Sequence, residues 1–71
     1  MSIVKKIVAI RADGVLEEYH FFSMSAAADH FYNFCGDVDS GHYDEVQLWR
    51  IRGTVWYLQN AYNRIEGPRL S

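Results

Sequence analysis

The chain has 71 residues, 49% of them apolar and 15% aromatic, with 7 Lys and Arg against 9 Asp and Glu, one Cys and one Pro. That length gives one domain with one layer of core, since a chain this small buries only about 60% of the surface its unfolded form exposes; a multi-domain enzyme is excluded. A lone Cys35 excludes an intrachain disulfide and points to a reducing compartment, and a net charge of -2 argues against general affinity for nucleic acid, which needs clustered Lys and Arg.

Met1 to Arg11 carries Lys5 and Lys6 inside a short apolar run and has no small-residue cleavage site, so no signal peptide is expected. No run approaches the ~20 apolar residues of a membrane span. The expected location is the cytoplasm, with no membrane partner.

Ile3 to Ala12 is rich in Ile and Val, Asp13-Gly14 supplies a turn dipeptide, and Val15 to Phe22 continues with β-branched and aromatic residues, which predicts a hairpin. Ser23 is a helix N-cap. Met24, Ala27, Phe31 and Phe34 then recur at spacings of three and four, an amphipathic helix of about three turns. Gly36 reads as the residue that ends it, near Cys35, leaving Val38 in the exit loop. Gly36 to Asp44 is polar and rich in turn formers. Glu45 to Ile51 and Thr54 to Asn60 form a second hairpin around Arg52-Gly53. Residues 61–71 have little to bury and are expected as an extended or flexible tail after a single domain of residues 1–60.

The order ββαββ predicts an α+β fold, an antiparallel sheet of about four strands with one helix on one face. With a two-residue Asp13-Gly14 turn, Val8, Ile10, Ala12, Val15, Tyr19 and Phe21 share a face with Lys6 and Glu17, and this is the better core. Ile7, Ala9, Leu16 and Phe22 share the other with Lys5, Arg11, Glu18 and His20. In the second hairpin, alternation puts Gln47, Trp49, Ile51, Trp56 and Leu58 on one side and Val46, Leu48, Arg50, Val55 and Tyr57 on the other, both apolar. One helix cannot cover both. A sheet face bearing Trp, Tyr or aliphatic side chains is therefore expected to be exposed, and surfaces of that kind mark interaction sites.

Other chemistries fit less well. His30, Cys35 and His42 lack the paired spacing of a zinc site. The loop from Asp37 departs from a calcium loop, with Gly41 and His42 at its fifth and sixth positions and Leu48 at its twelfth. No metal or other cofactor is expected. Cys35, at the negative end of the helix dipole, reads as a packing residue and not a nucleophile. His20 and Glu18, two apart on one strand face, are a candidate pair without a cleft to desolvate them. Trp49, Trp56 and Tyr57 with Arg50 and Arg52 would stack single-stranded nucleic acid, a reading weakened by the net acidity.

A short hairpin, the helix start Ser23, Ser25, Ala27 and the hairpin pattern Trp49, Gly53, Trp56 resemble the compact ββαββ proteins that bacteriophages encode to disable host machinery, among them anti-CRISPR proteins and inhibitors of host RNA polymerase. The resemblance lies in architecture, over about 60 residues, and carries over no functional residue. It implies a non-enzymatic inhibitor in the host cytoplasm that occludes a site on a larger complex through a sheet edge or face. The expected partner is thus a protein, with homodimerisation a further route. The expected contacts are Trp49, Arg50, Ile51, Arg52 and Trp56, with Asp37, Asp39 and Asp44 as an acidic rim.

Overall fold

The computed structural model describes residues 2–64 and the backbone of residues 67–70. Its order is β1 (Lys5–Arg11), β2 (Leu16–Phe21), α1 (Met24–Asp39), β3 (Tyr43–Arg52), β4 (Val55–Asn63) and β5 (Gly67–Leu70). All strand pairs are antiparallel, in the order β2-β1-β3-β4-β5, with α1 laid over one face. The α+β, ββαββ arrangement expected from the sequence is therefore present, with a short fifth strand added at one edge. Ala61 to Asn63, expected as tail, belong to β4; positions 65, 66 and 71 lie outside the described residues.

The first hairpin differs from the expected one by a single residue, and the difference turns β1 over while Tyr19 and Phe21 of β2 keep the expected core side. Ile10 pairs with Leu16, so Arg11 and Val15 flank three turn residues, and the Gly14 N–H donates to the Arg11 carbonyl at 2.9 Å. Gly14 sits at φ 89, the left-handed position that a three-residue hairpin requires and that Gly adopts without a Cβ penalty. The slip sets Ile7 and Ala9 of β1 opposite Tyr19 and Glu17 of β2. Ile7 and Ala9, placed by a two-residue turn on the poorer face, are in fact fully buried under the helix, while Lys6, Val8 and Ile10 face the other way.

The helix also outlasts its expected end. Ser23 caps it as anticipated, its Oγ accepting from the Ala26 N–H at 3.3 Å. Gly36 is helical, and the helix stops only at Ser40. There the Gly41 N–H donates to the Val38 carbonyl and the His42 N–H to the Asp37 carbonyl, both at 3.0 Å, the pair of bonds that defines a Schellman end. Gly41, at φ 89, takes the left-handed position; an added Cβ would also lie 3.2 Å from Arg64 Nη1. The extra turn carries Val38 into the core, where it is completely buried.

Ile7, Ala9, Ala27, Val38, Val46 and Leu48 form that core, lined by Phe21, Phe31, Phe34, Cys35, Tyr43 and Tyr62. Each fully buried aliphatic side chain contributes roughly 1.5–3 kcal/mol. The second hairpin turns at Gly53-Thr54, with Arg52 opposite Val55, and not at Arg52-Gly53. This changes the partners and keeps the faces, because the slip is by two in the pairing sum. Val38→Ala should lower stability by about 2 kcal/mol through the cavity it leaves. Tyr32→Ala, at an 81% exposed position of the same helix, should change it by less than about 0.5 kcal/mol. Thermal denaturation of the two variants checks this: equal effects would place Val38 outside the core.

Candidate functional site

The sheet face away from the helix is built from alternate residues of four strands. By register it carries Leu16, Glu18 and His20 from β2, Lys6, Val8 and Ile10 from β1, Glu45, Gln47, Trp49 and Ile51 from β3, and Trp56 and Leu58 from β4. No described element packs over it. A bulge in β4 between Leu58 and Asn60 then places Ala61 on this same face, paired with Gln47.

The face has a centre. Lys6 Nζ lies 4.7 Å from the Trp56 ring centroid and 5.6 Å from that of Trp49, so one ammonium touches both tryptophans. Trp56 also stacks on His20, with centroids 6.3 Å apart and planes at 29°. Glu18 closes the group: its Oε2 is 2.7 Å from His20 Nε2 and its Oε1 is 3.8 Å from Lys6 Nζ. The hydrogen bond from His20, with smaller help from the charge of Lys6, holds the Glu18 carboxyl below its ordinary range. Trp49 Nε1 donates to Gln47 Oε1 at 3.1 Å, and Gln47 in turn donates to Glu45. Both indoles are thus held in place before any partner arrives.

The expected contact residues divide between two surfaces. Trp49, Ile51 and Trp56 come together on the open face, since alternation groups the first two and the β3–β4 register sets Trp56 opposite Ile51. Arg50 and Arg52 point to the helix side, opposite Tyr57 and Val55, beyond the part of the sheet that α1 covers. Asp37 and Asp39 belong to α1, and Asp39 Oδ1 accepts from the Tyr62 hydroxyl at 2.6 Å. Asp44 sits at the β1–β3 bulge, 3.7 Å from Arg64. The acidic residues therefore do not rim the aromatic face. The rim around Lys6 consists of Glu18, His20 and Glu45, of which the sequence singled out the Glu18–His20 pair. Lys6 became visible as a site residue only through the β1–β3 register, which sets it opposite Trp49.

On the helix side, Glu17 gathers two phenols: Tyr43 donates to its Oε1 at 2.7 Å and Tyr19 at 2.9 Å, with Arg11 3.6 Å from Oε2. These two hydrogen bonds hold Glu17 below its ordinary range, and the bond to Glu17 with some burial pushes Tyr43 up to about 12. Cys35 is half-buried and its thiol is raised, by burial first and then by Asp39, which keeps it a poor nucleophile. No group of three or more His, Cys, Asp or Glu among the described residues is arranged to hold a metal. Among the described residues, no helix is long and apolar enough to cross a membrane.

Compared with known proteins, the chain matches no family model, no curated sequence and no solved structure.

The Glu17 cluster has a measurable consequence. A phenol raised in the folded state contributes stability that is present below its unfolded value of 10.0 and is lost as pH rises towards the folded value near 12. In an absorbance titration of tyrosinate, the last phenol of the native chain should ionise near pH 12, and Glu17→Gln should bring it back towards 10. An unchanged titration in Glu17→Gln would contradict the Tyr43–Glu17 bond.

Proposed function

We propose that this chain is a non-enzymatic protein-binding module that sterically blocks a larger protein or complex, in the manner of small phage-encoded inhibitors of host machinery. The observation that carries the reading is the open sheet face, where two tryptophans, Lys6, Ile51 and Leu58 form one preorganised aromatic and aliphatic surface. Trp is enriched among residues that dominate binding energy, and side chains already fixed in the free protein lose little entropy on docking. Glu18, His20 and Glu45 around that centre set orientation and encounter rate.

Two other readings have less support. Single-stranded nucleic acid would use the same indoles, but Arg50 and Arg52 lie on the opposite side of the sheet, and Lys6, the cation beside the indoles, is paired with Glu18. The Glu18–His20 pair could transfer protons, yet both side chains are about half exposed on an open sheet.

Trp49→Ala and Trp56→Ala should each weaken partner capture by at least about tenfold, a loss of roughly 1.4 kcal/mol or more, with the fold retained. Arg50→Ala and Arg52→Ala should leave capture within about threefold. Capture that survives both tryptophan variants would remove the open face as the docking surface. Loss of binding that follows salt steeply, in a gel-shift titration with single-stranded DNA, would favour the nucleic-acid reading.

A further inference from the structure

The edge of the sheet at β2 carries a second surface with a different logic. Of the eight large hydrophobic side chains exposed among the described residues, five, namely Val15, Leu16, Tyr19, Phe22 and Met24, lie on β2 or within three residues of it. The opposite edge, β5, is four residues long and contains Pro68, the kind of short, interrupted strand that resists pairing. β2 has neither defence: it is six residues long, has no Pro and no bulge, and pairs on one side only. The helix lies chiefly over β3; its Phe34 and His30 reach Tyr19 and Phe21 on the helix side, and no described strand pairs with the outer edge of β2.

The free backbone groups can be identified. Val15 and Phe21 present their carbonyls to β1, accepting from Arg11 and Val4 at 2.9 Å. The odd-numbered residues of β2 therefore bond inward, and Leu16, Glu18 and His20 direct their N–H and C=O groups outward. In a pairing of two such edges, outward residues must meet outward residues, which restricts the register to a few choices.

We propose that two copies of this chain join through their β2 edges, antiparallel, with the two-fold axis passing between the two Tyr19 residues. In this register Glu18 of one copy stands opposite His20 of the other, twice over, so each carboxylate meets an imidazole and no like charges face each other. Continuing each strand by one residue sets Leu16 opposite Phe22, which covers the 66% and 56% exposed side chains in a single contact. Tyr19, 41% exposed, meets its own copy on the axis. Shifting the register by two towards the turn would instead put Glu18 against Glu18. The axis is perpendicular to the sheet, so both helices lie on one side and both open faces on the other. The dimer is a continuous ten-stranded sheet presenting two Trp49–Trp56–Lys6 centres side by side. This inference does not depend on the proposed role of those centres.

The test is sedimentation equilibrium of the full chain over a range of concentrations, with amide hydrogen exchange as a second readout. The native chain should dimerise reversibly, and the Glu18 and His20 amides should exchange more slowly as concentration rises. His20→Pro removes an outward N–H and leaves the β1 ladder intact, so it should abolish the dimer while the Ile7 and Ala9 amides stay protected. Glu18→Lys should weaken dimerisation by about tenfold, and Glu18→Lys with His20→Glu should restore it, since a lysine of each copy then faces a carboxylate of the other. A native chain that stays monomeric at millimolar concentration overturns the proposal. So does a dimer that is unaffected by His20→Pro, or one that is lost in Trp49→Ala, which would place the interface on the open face.

Discussion

A helix is about 10 Å across and strands in a sheet are spaced about 4.8 Å apart, so one helix covers roughly two strands on one side. The described residues form five strands and one helix. The mismatch governs its surface. α1 buries Ile7, Ala9, Val46 and Leu48 in the middle of the sheet, and beyond its reach Val55 and Tyr57 stay about half exposed even on the helix side. No described element packs over the far face, where Trp49 and Trp56 are half-buried by neighbouring side chains. It is kept compatible with water by long side chains laid across it: Lys6 over both indoles, Trp56 leaning to His20, and Gln47 bonded to both Trp49 and Glu45.

That arrangement suits a surface that is to be covered later. A cation on an aromatic face is worth about 0.5–1 kcal/mol when exposed and about 2 kcal/mol when water is removed. A partner that seals the face would therefore strengthen the Lys6 contacts, and the Glu18 carboxylate beside Lys6 would keep the ammonium from being buried alone. The β2 edge differs in kind: there the unsatisfied groups are backbone, and only another strand satisfies them in register.

The order of elements was legible because each has a local cause: Ser23 as a cap, Asp13-Gly14 and Gly53 as turns, and a period of two or of three to four in the apolar residues between them. What was not legible was phase. Whether Asp13-Gly14 makes a two-residue turn or the end of a three-residue one is a difference of one residue, and that residue decides whether Ile7 or Val8 meets the helix. Gly36 and Gly41 are both acceptable helix terminators from sequence alone; burial of Val38 selects the second, since stopping at Gly36 would leave that side chain without the core contacts it makes. The grouping of Trp49 with Ile51 depends only on alternation within β3, and Trp56 stays with them because the turn moved the pairing sum by two, an even step. Alternation equally separates Arg50 and Arg52 from them. The placement of Asp37 and Asp39 depended on where the helix ends, so the acidic rim followed the helix to the other side of the sheet. Lys6 depended on a pairing between β1 and β3, strands far apart in sequence, which local pattern does not encode.

The central claim is that both tryptophans lie on a sheet face that no described element of the chain packs over. Acrylamide quenching of tryptophan fluorescence tests it directly, because both indoles report on that one face. The native chain should be quenched readily and along a single linear plot, at dilute protein concentration and at concentrations where β2 edges would pair. Emission that resists quenching until the chain is unfolded would show the indoles enclosed, and would contradict the account.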